Sequence, residues 1–315
     1  MTALPPPRVD RHAHLEGSLS PHWVRSQAAQ AGKAVPESLN ALWRRECLPF
    51  ESFIEAFFFS CGFLRSADVA REAIRAAVAR LAPAGEGTRG VDLWVSPHLL
   101  VKMSALLSLE ELWRGMDEGI REAESQDVKI AVILDAVNHL GPGHGHEVLD
   151  LVLPSRPEWV VGFSTGGLER VPFRDWAPVF ERARKAGLHL AAHAGENGPG
   201  GNVREAILDA GVERIVHGVR AAGDADILEL LAARGIPVDV CITSNRVLVP
   251  DLGPHPLPQM LRAGVRCALG SDDPGVIPCD MAWEWDQARD LGLTEGELLK
   301  LRSNAVEDAW CLRYT

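Results

Sequence analysis

The chain has 315 residues, 46% hydrophobic and 24% charged, with a formal net charge of −11; this suits an ordinary globular protein with a sizeable core, and the acidic balance disfavours a nucleic-acid partner. No run approaches the ~18 consecutive apolar residues of a membrane span, and residues 1–8 carry no secretory pattern. The six cysteines form no Cys-x-x-Cys pair, so neither a disulfide framework nor a cysteine-ligated zinc is expected, and a cytoplasmic protein with incidental thiols is.

From the N-terminus, short apolar or β-branched runs alternate with stretches of helical spacing. The first strand is predicted at 8–12. A long segment follows before the second strand at 91–96, about 78 residues and far more than one crossover helix needs. It reads as a helical insertion, about 17–90, lying over the mouth of the fold. Within it Phe50, Phe53 and Phe57 share helical spacing and form one apolar face, joined nearby by Phe58, Phe59 and Phe63. A helix is predicted at 109–123, strands at 129–135 and 159–164, a helix at 175–186, and a strand at 189–193. Then come a helix at 202–210, a strand at 214–217, a helix at 226–234, a strand at 238–241, a helix at 256–263 and a strand at 266–270. Gly187, Gly211, Gly235 and Gly264 follow four of these helices, where a helix C-terminus favours glycine. Eight such units predict one (β/α)8 barrel, TIM-like, as a single domain over 1–315. The competing doubly wound sheet usually carries a Gly-rich phosphate turn after its first strand; His12-Ala13-His14 stands there instead.

Active sites of such barrels lie at the C-terminal ends of the strands. Those ends carry His12 and His14 (strand one), His193 with Glu196 (strand five), His217 (strand six), and Asp272 with Asp273 (strand eight). Residues i and i+2 of a strand share a face, so His12 and His14 point together into the mouth. Three neutral imidazoles and a carboxylate with a position left open describe one catalytic metal per chain, zinc or another first-row divalent ion. Glu196, two small residues past His193, is expected to hold a raised pKa and to shuttle protons. His217 is expected to orient or deprotonate the water. Asp273, whose side chain diverges from that of Asp272, is placed to hydrogen-bond a ligand.

Other chemistries are excluded by what is missing. Zinc deaminases of the cytidine type use Pro-Cys-x-x-Cys. A two-metal barrel hydrolase needs a bridging lysine or carboxylate on strand four, which ends Gly162-Phe163-Ser164-Thr165-Gly166-Gly167. No phosphate loop occurs.

Five blocks make the chain similar to the adenosine deaminase family of the amidohydrolase superfamily: His12-Ala13-His14-Leu15-Glu16-Gly17-Ser18, Ser96-Pro97-His98-Leu99-Leu100, His193-Ala194-Gly195-Glu196, Arg214-Ile215-Val216-His217-Gly218-Val219-Arg220 and Ser271-Asp272-Asp273-Pro274. Thr243-Ser244-Asn245 and Asn304-Ala305 add support. The resemblance implies zinc on His12, His14, His193 and Asp272, with Glu196 as proton shuttle to the purine ring. It implies that His217 positions the attacking water and that Asp273 contacts the imidazole edge of the purine. The Gly167 N–H would meet the opposite ring edge, and Glu16 would reach the sugar of a nucleoside. His14 is counted among the substrate contacts as well. Three departures bear on substrate: Ser164 and Leu168 replace acidic residues of nucleoside deaminases, the Ser-Ser-Glu run of adenine-specific members is absent, and Trp94 replaces an arginine.

The expected activity is therefore hydrolysis of a 6-aminopurine nucleoside, adenosine first, to the 6-oxo product and ammonia. The alternative is free adenine or a modified adenine nucleoside such as aminodeoxyfutalosine. A purine-binding protein without activity is a third reading. The partners expected are a small purine and water, with no nucleic acid and no membrane; self-association into a homo-oligomer stays open.

Overall fold

A computed structural model describes residues 9–80, 89–104 and 106–313. Residue 8, the first of the first predicted strand, and 81–88 of the insertion lie outside the described residues. Among the described residues eight strands occur: β1 Val9–His14, β2 Arg89–Val95, β3 Val128–Val137, β4 Val160–Gly166, β5 His189–Ala194, β6 Arg214–His217, β7 Pro237–Val240 and β8 Arg266–Leu269. They pair in chain order and all in parallel. The chain beyond β8 returns to β1: the His14 N–H donates to Asp272 O and the Asp272 N–H to His12 O, each at 2.8 Å. These bonds close the sheet into the predicted barrel.

The predicted strand at 214–217 coincides with β6, whereas β1 runs to His14 and so carries both histidines inside the strand. The helix predicted at 109–123 is Leu109–Glu124, begun by a capping box between Ser108 and Glu111. Gly235 takes the left-handed conformation just past helix Ala225–Arg234, as its position suggested. Short helices at Pro97–Met103, Pro142–Val152 and Ile242–Leu248 were not predicted.

The insertion contains α1 Pro21–Gln30, α2 Glu37–Trp43, α3 Phe50–Cys61 and α4 Ala67–Ala79. Ser20 and Ser66 cap α1 and α4 by accepting from Trp23 N and Val69 N. In α3 the Phe50, Phe53 and Phe57 rings pack against one another at tilted angles, with centroids 5.2 and 5.8 Å apart. Trp43 Nε1 donates to Gly275 O at 3.0 Å, tying α2 to the loop beyond β8. The insertion is thereby anchored on the rim where the strands end.

Two apolar clusters divide the fold. The larger lies between strands and helices. The smaller gathers Val9, Trp94, Ala131, Ile133, Val161, Ala191 and Val216 from six strands, so it fills the barrel interior, together with Ala309, Trp310 and Cys311 from the C-terminal segment. That segment plugs the N-terminal ends of the strands. Asp92 accepts from Trp310 N at 3.0 Å and Cys311 N at 2.7 Å. Arg214 Nη1 donates to Asp92 at 2.7 Å, and its guanidinium stacks 3.7 Å from the Trp310 ring centroid. Arg11 faces Asp239 as an ion pair at 2.9 Å.

Candidate active site

The opposite end of the barrel is organised by Asp10. This buried carboxylate accepts from His12 N at 3.2 Å, from Ser271 N at 3.0 Å and from the Ser271 hydroxyl, pinning the end of β8 to β1. The approach also requires glycine: a Cβ on Gly270 would fall 2.7 Å from His12 Cβ.

His12, His14, His193 and Asp272 converge there. His12 Nε2 lies 3.2 Å from Asp272 Oδ1 and 3.2 Å from His193 Nε2. His14 Nε2 lies 3.3 Å from His193 Nε2 and 3.5 Å from Asp272 Oδ1. The His193 Nδ1–H donates to Thr165 O at 2.9 Å, which leaves its Nε2 lone pair facing inward. Nitrogen lone pairs packed this closely repel unless a cation lies among them. Bonds of about 2.05 Å to a tetrahedral zinc imply ligand–ligand edges of about 3.3 Å. The observed separations match, so these four residues fit a metal ion on their own geometry.

Their protonation states agree. Burial holds His12 and His14 neutral, with pKa values lowered to about 3, and pushes His193 well below the usual histidine range. Burial opposes the charge on Asp272, but His217, His12 and His14 outweigh it and keep the carboxyl well below its usual range. Neutral imidazoles with one carboxylate are the forms a divalent metal takes. Two residues of the site carry backbone strain: His217 and Asp272 have φ of 64° and 63°, sparsely populated for residues other than glycine.

Glu196 is positioned by another carboxylate. Glu169 accepts from Gly195 N and Glu196 N at 2.8 Å each, from Asn197 N at 3.1 Å and from Asn202 Nδ2 at 2.8 Å. From the other side Arg220 Nε donates to Glu196 O at 2.8 Å. The loop is thus fixed at its backbone, while Glu196 Oε1 has no hydrogen-bond partner and stands 3.6 Å from His217 Nε2. Burial, then the negative charges of Asp272 and Glu169, raise the Glu196 carboxyl well above its usual range. Asp273 is raised in the same direction, by burial and then by Asp272 and Glu16. A Cβ on Gly17 would fall 1.9 Å from Asp273 Oδ1, so the turn at Gly17 exists in the space Asp273 needs.

A cavity opens above this cluster. His14, His193, Glu196, His217, Asp272, Asp273 and Gly167 line it, and Phe50, Phe53, Ile54, Phe57 and Phe58 of α3 roof it. His12 lies beneath, fully buried. Glu16 does not line the cavity. It is 1% exposed, and its Oε1 accepts from Ser96 N at 2.6 Å.

Sequence reasoning missed Asp135, which lines the cavity at the end of β3 with Oδ1 unpartnered. The strand-end rule that found the other groups, applied to the strand predicted at 129–135, would have found it. Glu169 was missed because its work is done through backbone N–H groups, which leave no residue pattern.

A family model described as adenosine deaminase matches residues 7–313. The chain is 32% identical over 317 aligned positions to an adenine deaminase of Cupriavidus taiwanensis, covering 96% of this chain and 87% of that one. It is 32% identical over 310 positions to an aminodeoxyfutalosine deaminase of Acidothermus cellulolyticus, covering 91% and 83%. The fold superposes on the crystal structure of adenine deaminase from Arthrobacter aurescens with a TM-score of 0.87 at 27% identity, covering 98% of each chain. With that coverage and the converged strand-end groups, the chain belongs to the adenosine deaminase family and is a hydrolytic deaminase.

Proposed function

We propose that the protein hydrolyses the 6-amino group of free adenine in preference to adenosine, releasing ammonia. The observation that carries this reading is Glu16. The carboxylate expected to receive a sugar hydroxyl is buried and bonded to Ser96 N, and the cavity is roofed by aromatic rings instead. The names of the relatives from Cupriavidus and Arthrobacter support the same direction. The preference thereby moves from adenosine, the first expectation, to the free base.

His12, His14, His193 and Asp272 would hold one zinc ion, whose Lewis acidity lowers the pKa of water toward neutrality. The rest falls to the chain's own groups. Glu196, protonated through burial, delivers its proton to the ring nitrogen beside the carbon under attack, so that negative charge does not build on the purine. His217 Nε2, 3.6 Å from Glu196 Oε1, orients the attacking water. Asp273, also held protonated, donates a hydrogen bond to the imidazole edge, and Gly167 approaches the other edge through its backbone. Water oxygen adds to the ring carbon; as the carbon–nitrogen bond breaks, one water proton completes the leaving ammonia and the other returns to the Glu196 carboxylate. The α3 rings cover the purine faces and exclude bulk water.

The Acidothermus relative keeps a modified adenine nucleoside as a second reading. One experiment separates them: turnover of adenine, adenosine and 6-aminopurine nucleosides with altered sugars, followed by the ultraviolet change on deamination. The expected result is kcat/KM for adenine at least about tenfold above the nucleosides. The opposite order overturns the proposal.

A further inference from the structure

Behind His217, away from the cavity, a chain of buried polar groups runs through Asn245 to His255, at the floor of a second, open pocket. Asn245, on helix Ile242–Leu248, is fully buried, and its Nδ2 lies 3.1 Å from His217 Nδ1. Its Oδ1 lies 3.4 Å from Nε2 of His255, another buried side chain. The Leu257 N–H donates to His255 Nδ1 at 3.3 Å.

We propose that Asn245 and His255 are positioning residues that decide which ring nitrogen of His217 carries its proton. The direction of the chain is set at its far end. A backbone N–H can only donate, so His255 Nδ1 is the acceptor and the proton of that neutral ring sits on Nε2. The His255 Nε2–H then donates to Asn245 Oδ1. This orients the amide, and Nδ2–H donates to His217 Nδ1. The reverse amide orientation would need the His255 proton on Nδ1, facing the Leu257 N–H donor to donor. With Nδ1 accepting, the remaining proton of His217 sits on Nε2, the atom that faces Glu196 Oε1 at 3.6 Å and Asp272 Oδ2 at 3.9 Å. His217 thus offers the cavity a hydrogen-bond donor. Deprotonation of water by His217 would require this whole chain to invert. Burial of His255, whose pKa falls to about 3, keeps that ring neutral and the chain in one sense. The strained φ of His217 is the backbone cost of placing the ring between its two sets of neighbours.

The inference rests on the deaminase reading and not on the choice of adenine. Its test has a readout independent of turnover. In metal-loaded protein carrying ¹⁵N-histidine, long-range proton–nitrogen spectra report which ring nitrogens bear protons, and His217→Gln identifies the signals of that ring. The expected result is His217 protonated at Nε2 with Nδ1 bare. Asn245→Asp, which turns the partner into an acceptor, should move the proton to Nδ1. It should lower kcat about tenfold to a hundredfold, with KM changed less than about twofold. His255→Gln keeps a donor toward Asn245 and should hold kcat within about threefold, whereas His255→Leu should fall with Asn245→Asp. Protonation of His217 at Nδ1 in the unmodified protein overturns the proposal. So does an unchanged His217 pattern in Asn245→Asp. Should that variant not fold, the spectrum of the unmodified protein decides alone.

Discussion

Two clusters of ionisable side chains are buried inside one barrel, one at each end, and they are compensated in different ways. At the N-terminal ends of the strands Arg11 and Arg214 face Asp92 and Asp239. At the C-terminal ends His12, His14 and His193 face Asp272. The lower set balances its own charge: two guanidinium groups meet two carboxylates, and Trp310 and Cys311 add N–H donors to Asp92. Burial favours the neutral form of Asp92, but Arg214 and Arg11 overcome it and hold the carboxyl below its usual range. The upper set has neutral donors and one anion, with nitrogen facing nitrogen at 3.2 and 3.3 Å. It is complementary to something the chain does not contain. One barrel thus carries a cluster that completes the fold and a cluster that completes itself on a ligand, and they should fail differently when cut.

The largest effect is expected at the upper end. Glu196→Gln preserves shape and the hydrogen bonds around the loop but removes the proton. Turnover should fall by ~10²–10⁴, the usual range for a general acid–base group. Bound metal and Tm should match the unmodified protein, because Glu169 holds the loop through backbone atoms that the substitution does not touch. Turnover within about tenfold would remove Glu196 from the proton-transfer role. A loss of metal together with activity would mean that Glu196 belongs to the metal cluster.

At the lower end Arg214→Met leaves Asp92 buried with its closest guanidinium gone. Removing one partner of a buried pair costs about 3–5 kcal/mol of stability. Equilibrium denaturation should show that loss, while kcat per folded molecule stays near that of the unmodified protein. The site lies at the other end of the strands. A loss under about 1 kcal/mol would show that the lower cluster is dispensable and that the packing of Trp310 carries the closure.

The upper cluster was readable in the sequence because its residues follow the geometry of strand ends. His12-x-His14 shares a face by strand period, and His193, His217 and Asp272 each close a strand or follow it within three residues. Helix termini were readable for the same local reason, as at Ser108 and Gly235. The lower cluster was not. Arg11, Asp92, Arg214 and Asp239 sit on four strands where a charge would ordinarily read as solvent-facing, and their pairing depends on closure over more than 200 residues of chain. Trp310 and Cys311 lie beyond the last helix, Glu295–Asp308, where no strand or helix period marks them. The chain behind His217 was hidden for a related reason: Asn245 and His255 are joined by side chains across a turn, with neither strand nor helix period between them. Pattern reading recovers what repeats along the backbone, and these contacts depend on where the backbone ends up.

Glu16 falls between the two regimes, and the smallest expected effect is the one that sharpens the comparison most. It is buried like the lower carboxylates but has no cationic partner among the described residues. Oε1 accepts from Ser96 N at 2.6 Å, and Oε2 is unpartnered. Burial raises its pKa to about 7. Ser96 is the residue from which helix Pro97–Met103 starts, so the bond ties the first loop over the barrel to the end of β2. If that is its whole role, Glu16→Ala loosens the loop for every substrate alike. The kcat/KM for adenine and for adenosine should then fall by the same factor, about tenfold or less. Glu16→Gln should recover most of the loss, since the amide oxygen still accepts from Ser96 N. If instead Glu16 turns to meet a sugar hydroxyl, a charge-assisted bond of about 1.5–3 kcal/mol is lost for adenosine alone, and Gln restores it poorly. Measuring both substrates on both variants decides the matter. Equal losses keep Glu16 with the groups that hold the fold, and a loss confined to adenosine would place it in the cavity and return the nucleoside to first place.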